Sequence, residues 1–151
     1  MADSETHSWL EELSLDECLR FLRGTDLGRV AFMDGDFPVV LPVNYRLTDG
    51  AGGEWWLTLR TRSGNVIDQA PLHVAFEVDG MDAVAHRGWS VLVRGDLRHV
   101  VPTAGTTNIG DSEPWIDDGR DSWLIVEPTL VSGRRLHPAP LAWAFHMRAY
   151  L

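Results

Sequence analysis

Lysine is absent from this chain of 151 residues: all 13 of its Lys-or-Arg positions carry arginine. Without lysine there is no internal Schiff base, which excludes a pyridoxal-phosphate enzyme of the usual sort. There is no phosphate-loop lysine either, which excludes a Walker-type nucleotide hydrolase. Any bound phosphate must be held by Arg, hydroxyls or backbone N–H groups, and a planar guanidinium matches phosphate oxygens in pairs. Cysteine is nearly missing too. The single Cys18 makes no internal disulfide and no Cys-rich zinc site, and it reads as a small apolar core residue. Positive charge is scarce: the net charge of -9 argues against a nucleic-acid partner, because phosphate binding needs a basic face. No apolar run approaches the roughly 20 residues of a membrane span. The acidic start Met1-Ala2-Asp3-Ser4-Glu5 has no signal-peptide core. The expectation is one cytoplasmic domain over residues 1–151, with neither membrane nor nucleic acid as partner.

The usual catalytic signatures are missing as well. There is no Gly-x-Ser-x-Gly elbow, no His-Glu-x-x-His pair and no Gly-x-Gly-x-x-Gly after a strand. The histidines at 7, 73, 86, 99, 137 and 146 show no metal-ligand spacing, so no metal site is expected, although haem iron needs only one imidazole.

What is present is β-pattern behind one helix. Ser14 followed by Glu17 forms a capping box, and Leu13 with Cys18 suits the hydrophobic staple around it. Leu15, Cys18, Leu19 and Leu22 fall at helical spacing on one face, and Gly24 supplies the stop. Beyond it, segments 29–33, 39–46, 54–60, 73–79, 89–101 and 123–132 are rich in Val, Leu, Phe, Trp and Thr. Turn chemistry separates them at Asp34-Gly35-Asp36, at 49–53 and at Asp79-Gly80. Residues 64–70, ended by Pro71, suit one short helix. Six strands with mostly tight connections predict an antiparallel sheet closed into a barrel. The polar stretch 102–119 carries Pro114-Trp115, which suits a lid.

Two segments suit a ligand. Arg60-Thr61-Arg62-Ser63-Gly64-Asn65 joins guanidiniums and hydroxyls to the Gly-freed N-terminus of the expected short helix, as an anion site requires; a polar turn after a strand is the plainer alternative. In Leu41-Pro42-Val43-Asn44-Tyr45, proline implies an edge or an interrupted ladder. An open ladder leaves backbone groups for a flat polar heterocycle, and an edge protected against aggregation is the other reading.

These pieces, in order, resemble the pyridoxamine 5'-phosphate oxidase-like family. The resemblance runs through Leu27-Gly28-Arg29-Val30-Ala31-Phe32, Pro38 to Tyr45, Leu59-Arg60-Thr61 and Val74 to Asp79. It continues through Gly88-Trp89-Ser90-Val91-Leu92-Val93-Arg94-Gly95 and closes at Val131-Ser132-Gly133-Arg134-Arg135, covering about residues 13–136. It implies a mainly β, six-stranded antiparallel split β-barrel with one N-terminal helix and short connecting helices. It also implies a homodimer holding a flavin (FMN) or the deazaflavin F420 at the subunit interface, with haem as a further alternative. Carried over, Leu41, Pro42, Val43, Asn44 and Tyr45 lie along the isoalloxazine ring. Arg60, Thr61, Ser63, Gly64 and Asn65 address the ribityl phosphate, and Trp89 and Ser90 complete the pocket. Many relatives place Lys just after the turn glycine, where this chain has Asn65 and Val66. Losing that charge weakens a phosphate site by about 1.5–3 kcal/mol, which Arg60 or Arg62 would offset. The implied activity is hydride transfer to a small-molecule substrate, with Tyr45 and His86 as candidate proton donors. The alternatives are a protein that only binds or senses flavin, F420 or haem, and a barrel acting through protein partners.

Overall fold

In this computed structural model, which describes residues 9–101 and 122–138, the chain enters through a short edge strand and its one helix. Strand β1 (Leu10–Glu12) precedes helix α1 (Leu15–Gly24). The capping box is present: the Ser14 hydroxyl accepts from the Glu17 N–H at 3.4 Å, and the Glu17 carboxylate accepts from the Ser14 N–H at 2.9 Å. Cys18 and Leu22 are buried, whereas Leu15 is 54% exposed, so the apolar stripe is narrower than its spacing suggested. Cys18 and Leu13 both pack over Gly133, where an added Cβ would lie 2.5 Å from the Cys18 sulfur. The missing side chain is what seats the helix on the sheet.

The remaining strands are β2 (Leu27–Asp34), β3 (Phe37–Asp49), β4 (Trp55–Thr61), β5 (Leu72–Asp82), β6 (Arg87–His99) and β7 (Ser122–Leu136). They pair antiparallel in the order β1-β7-β4-β3-β2-β5-β6, and a β6–β7 pairing closes β2 to β7 into a ring of six. Alternate side chains fill the interior, among them Val30, Tyr45, Leu57, Leu59, Phe76, Val78, Val91, Val93, Leu124 and Val126. This is the six-stranded antiparallel split barrel of the sequence reading.

The seams of the ring are unequal. β6 pairs with β7 from Gly88↔Leu136 to His99↔Leu124, interrupted only by a bulge at Arg94/Gly95. β3 pairs with β4 only from Tyr45↔Leu59 to Asp49↔Trp55, while its earlier half pairs with β2 alone. The Tyr45 N–H donates to the Asp26 carbonyl at 3.0 Å, on the β2 side. Backbone groups alternate along a strand, so the C=O of Pro42 and the N–H of Asn44 face the other way. There β4 has diverged. Pro42 thus turns its missing N–H toward the gap, where no ladder bond is lost.

Two local expectations are corrected and one element is added. Asp79-Gly80 is not a turn: β5 runs on to Asp82, whose carboxylate accepts from the N–H groups of Val84 and Ala85 at 3.1 and 2.9 Å. Gly80 is required by packing instead, since a Cβ there would sit 2.6 Å from the Trp89 indole across the strand pair. Residues 64–70 form no short helix: successive turns run over 63–67, and 68–70 are irregular. Strand β1 had no sequence signal; Glu11 holds it to the end of β7 through Arg135 at 3.4 Å and His137 at 2.7 Å. Among the described residues no helix is long and apolar enough to cross a membrane. Residues 102–119, with the expected Pro114-Trp115 lid, and the apolar segment 141–145 lie outside the described residues.

Candidate functional site

Where β3 and β4 part, a cleft of about 570 Å³ opens between Leu41–Asn44 on one side and Arg60–Asn65 on the other, with Ile67 at its base. It exists because a ladder with five residue pairs holds only one end of β3 to β4. One wall is therefore strand edge, and the other is the exit of β4 with the turn that follows.

That turn is closed by its own polar atoms. The Asn65 N–H donates to the Arg62 carbonyl at 3.0 Å and the Asp68 N–H to the Asn65 carbonyl at 2.8 Å. The Val66 N–H is taken by the Asn65 side chain at 2.6 Å, and the Gly64 N–H by the Asp68 carboxylate at 2.9 Å. Gly64 has φ +80, a left-handed backbone that an L side chain rarely adopts. The N–H groups of 64, 65, 66 and 68 are thus engaged within the turn, and no helix N-terminus stands here. The side chains at this wall with the chemistry to meet an anion are the guanidiniums of Arg60 and Arg62 and the hydroxyls of Thr61 and Ser63. Arg60 lies with its guanidinium 4.5 Å from the Trp123 ring centroid, a cation–π contact set by the β4–β7 register.

Asp68 is the best-anchored charge near the cleft. Besides Gly64 it accepts from the Ser122 hydroxyl at 2.6 Å and from His99 Nε2 at 2.7 Å, and its side chain is only 13% exposed. The Ser122 hydroxyl, the Gly64 N–H and His99 together hold its pKa down at about 2. An ionised carboxylate only accepts, so His99 carries its proton on Nε2. Asp68, His99 and Ser122 went unseen in the sequence because they are brought together from three separate segments without a motif.

The other expected residues lie elsewhere. Tyr45 is buried beside the cleft: its hydroxyl donates to the Leu22 carbonyl at 2.7 Å and lies 3.0 Å from the Thr25 hydroxyl, and its ring meets Phe76 edge-on. Its hydroxyl is thus turned to the helix and not to the cleft lining, and burial pushes its pKa up to about 12. Trp89 stacks on Phe21 at 4.0 Å and lines a second cleft of about 620 Å³ with Gly80, Arg87, Arg135 and Leu136, sharing no residue with the first. Ser90 sits next to it on β6, opposite Asp79 and Arg134. His86, at φ +52, belongs to the β5–β6 turn. Among the described residues no three His, Cys, Asp or Glu side chains gather as a metal site would require.

Comparison with known proteins decides the family. Residues 14–135 match the family model of pyridoxamine 5'-phosphate oxidase. The chain belongs to this pyridoxamine 5'-phosphate oxidase family. An uncharacterized protein of Mycobacterium tuberculosis is 31% identical over 137 residues, 83% of this chain and 84% of that protein. Among solved structures, an FAD-binding protein from Mycobacterium smegmatis is similar at TM-score 0.71 and 29% identity, over 85% of this chain and 100% of that one. A second FAD-binding protein, from Mesorhizobium loti, shares the fold at TM-score 0.69 and 21% identity, over 85% and 98% of the two chains. Membership of the pyridoxamine 5'-phosphate oxidase family covers every strand of the closed ring except the last residue of β7.

Proposed function

We propose that this protein binds a flavin nucleotide, FMN or FAD, along the open edge of β3 and serves as an oxidoreductase passing hydride to a small-molecule substrate. The observation that carries the reading is the cleft at the β3–β4 split, with a backbone edge on one wall and two arginines on the other. The FAD-binding relative, 29% identical along its whole length, supports it.

The residues suit such a group at both ends. A heterocycle with a donor beside an acceptor meets the Pro42 C=O and the Asn44 N–H, with Leu41 and Val43 as apolar contacts. The phosphate end meets Arg60, Thr61, Arg62 and Ser63, where guanidiniums stand in for the lysine that the chain lacks. A bound flavin supplies the hydride chemistry. The protein's own share is orientation and charge: Arg60 and Arg62 are the only ionisable side chains lining the cleft among the described residues. That same observation favours one second reading, a protein that binds or senses the cofactor without turnover. F420 has the same edge available. Haem fits less well, since no histidine lines the cleft among the described residues.

We place a second copy of the chain over the β2–β3 hairpin, where Met33, Phe37 and Val40 are 52%, 76% and 60% exposed beside the cleft. Within one chain Trp89 and Ser90 lie outside the cleft, so they complete it only from that second copy.

The test is a visible absorption spectrum of the purified protein before and after adding FMN or FAD, followed by turnover with a reductant. Twin flavin bands that survive gel filtration support the binding, and reductant-dependent turnover supports the enzyme over the sensor. A protein that stays colourless with both nucleotides overturns the proposal.

A further inference from the structure

The Asp68 carboxylate stands where simple electrostatics disfavours it, an anion behind a turn proposed to hold a phosphate. Its three partners explain the placement. One oxygen takes the Ser122 hydroxyl and His99 Nε2 from the facing ends of β7 and β6, and the other takes the Gly64 N–H. The side chain therefore clips the turn to the barrel wall.

We propose that Asp68 is a positioning residue, whose carboxylate fixes the Arg62–Asn65 turn in the shape that presents Arg62 and Ser63 to the phosphate of the bound flavin. The inference rests on the flavin reading above. Gly64 at φ +80 gives the turn its reversal but no stiffness, because glycine visits many conformations at similar cost. Asn65 closes the turn locally through its own side chain. Asp68 ties it to another part of the barrel, to Ser122 and His99 on strands that are themselves paired along most of their length.

Two opposite signs follow for the variants. If Asp68 acts only as a nearby negative charge, Asp68→Ala tightens phosphate binding. If it positions the turn, Asp68→Ala weakens it. Asp68→Asn separates geometry from charge: its amide oxygen can still accept from Gly64, while its NH2 faces Ser122 and His99, both able to switch to acceptors.

The experiment titrates wild type, D68A and D68N with FMN and with riboflavin, which keeps the ring and loses the phosphate, and reads flavin fluorescence. Melting curves check that each variant is folded. The expected result is FMN affinity about tenfold lower in D68A, riboflavin affinity changed by less than about twofold, and D68N close to wild type. If D68A does not fold, the double variant His99→Gln with Ser122→Ala removes the anchors instead, and the same loss specific to FMN is expected. FMN affinity unchanged or raised in the variant, or FMN and riboflavin weakened alike, overturns the positioning role. Wild type that binds neither flavin overturns the flavin reading itself, a result distinguishable from both.

Discussion

The two sides of the barrel are built from the same antiparallel ladder and do different work. On the β5–β6–β7 side, pairing is nearly continuous and the interior residues Phe76, Val78, Val91 and Val93 are fully enclosed. On the β3–β4 side, pairing stops at Tyr45↔Leu59, and the strand beyond it keeps an unpaired edge beside a polar turn. A sheet satisfies its backbone groups either with another strand or with something else. The closed side uses strands throughout. The open side leaves room for a ligand, so stability and binding are expected to separate in space.

The sharpest way to break this comparison is to damage the closed side. Phe76→Ala removes a fully buried ring and should lower unfolding free energy by about 3–5 kcal/mol, measured by urea denaturation, while the folded fraction keeps its flavin affinity. On the open side the pattern should invert. Arg62→Ala should weaken FMN binding by roughly 1.5–3 kcal/mol, the worth of a charge-assisted hydrogen bond. Its unfolding free energy should shift by less than about 0.5 kcal/mol, as for other surface changes. If Arg62→Ala costs as much stability as Phe76→Ala, the two sides are not separate.

Smaller effects sharpen the picture at the helix. Ser14→Ala should cost about 1 kcal/mol through loss of the N-cap. It should also change the acid limb of the stability curve. The Ser14 N–H and hydroxyl, with Arg135, hold the Glu17 pKa at about 2. A depressed carboxylate adds stability that is present above its unfolded pKa of about 4.3 and lost as pH falls toward 2. Asp68 behaves in the same way. Thermal melts at stepped pH should show wild type losing stability across that window, and Ser14→Ala losing less of it.

Much of this was legible in the residues. Ser14 and Glu17 announce the helix start because a capping box is local, and alternation announces the strands because one face is buried. What misled was glycine and what was missed was distance. Gly80 follows Asp79 as a hairpin glycine would, yet it serves to admit the Trp89 indole. Ser63-Gly64-Asn65 looked like the entry to a helix, but side chains of Asn65 and Asp68 close it as turns. His99 and Ser122 lie 31 and 54 positions from Asp68, too far apart for any local pattern to join them. Leu41 to Asn44 and Arg60 to Asn65 are joined in the sequence only through the family resemblance, and the short β3–β4 ladder is what makes them two walls of one cleft.

The central claim, that the open edge of β3 is where flavin binds, is tested most directly by amide hydrogen exchange with and without saturating FMN. The account predicts slowed exchange in peptides covering residues 39–46 and 60–66, with β7 and residues 91–99 of β6 unchanged. Protection confined to the second cleft, around Gly80 and residues 87–89, would contradict it.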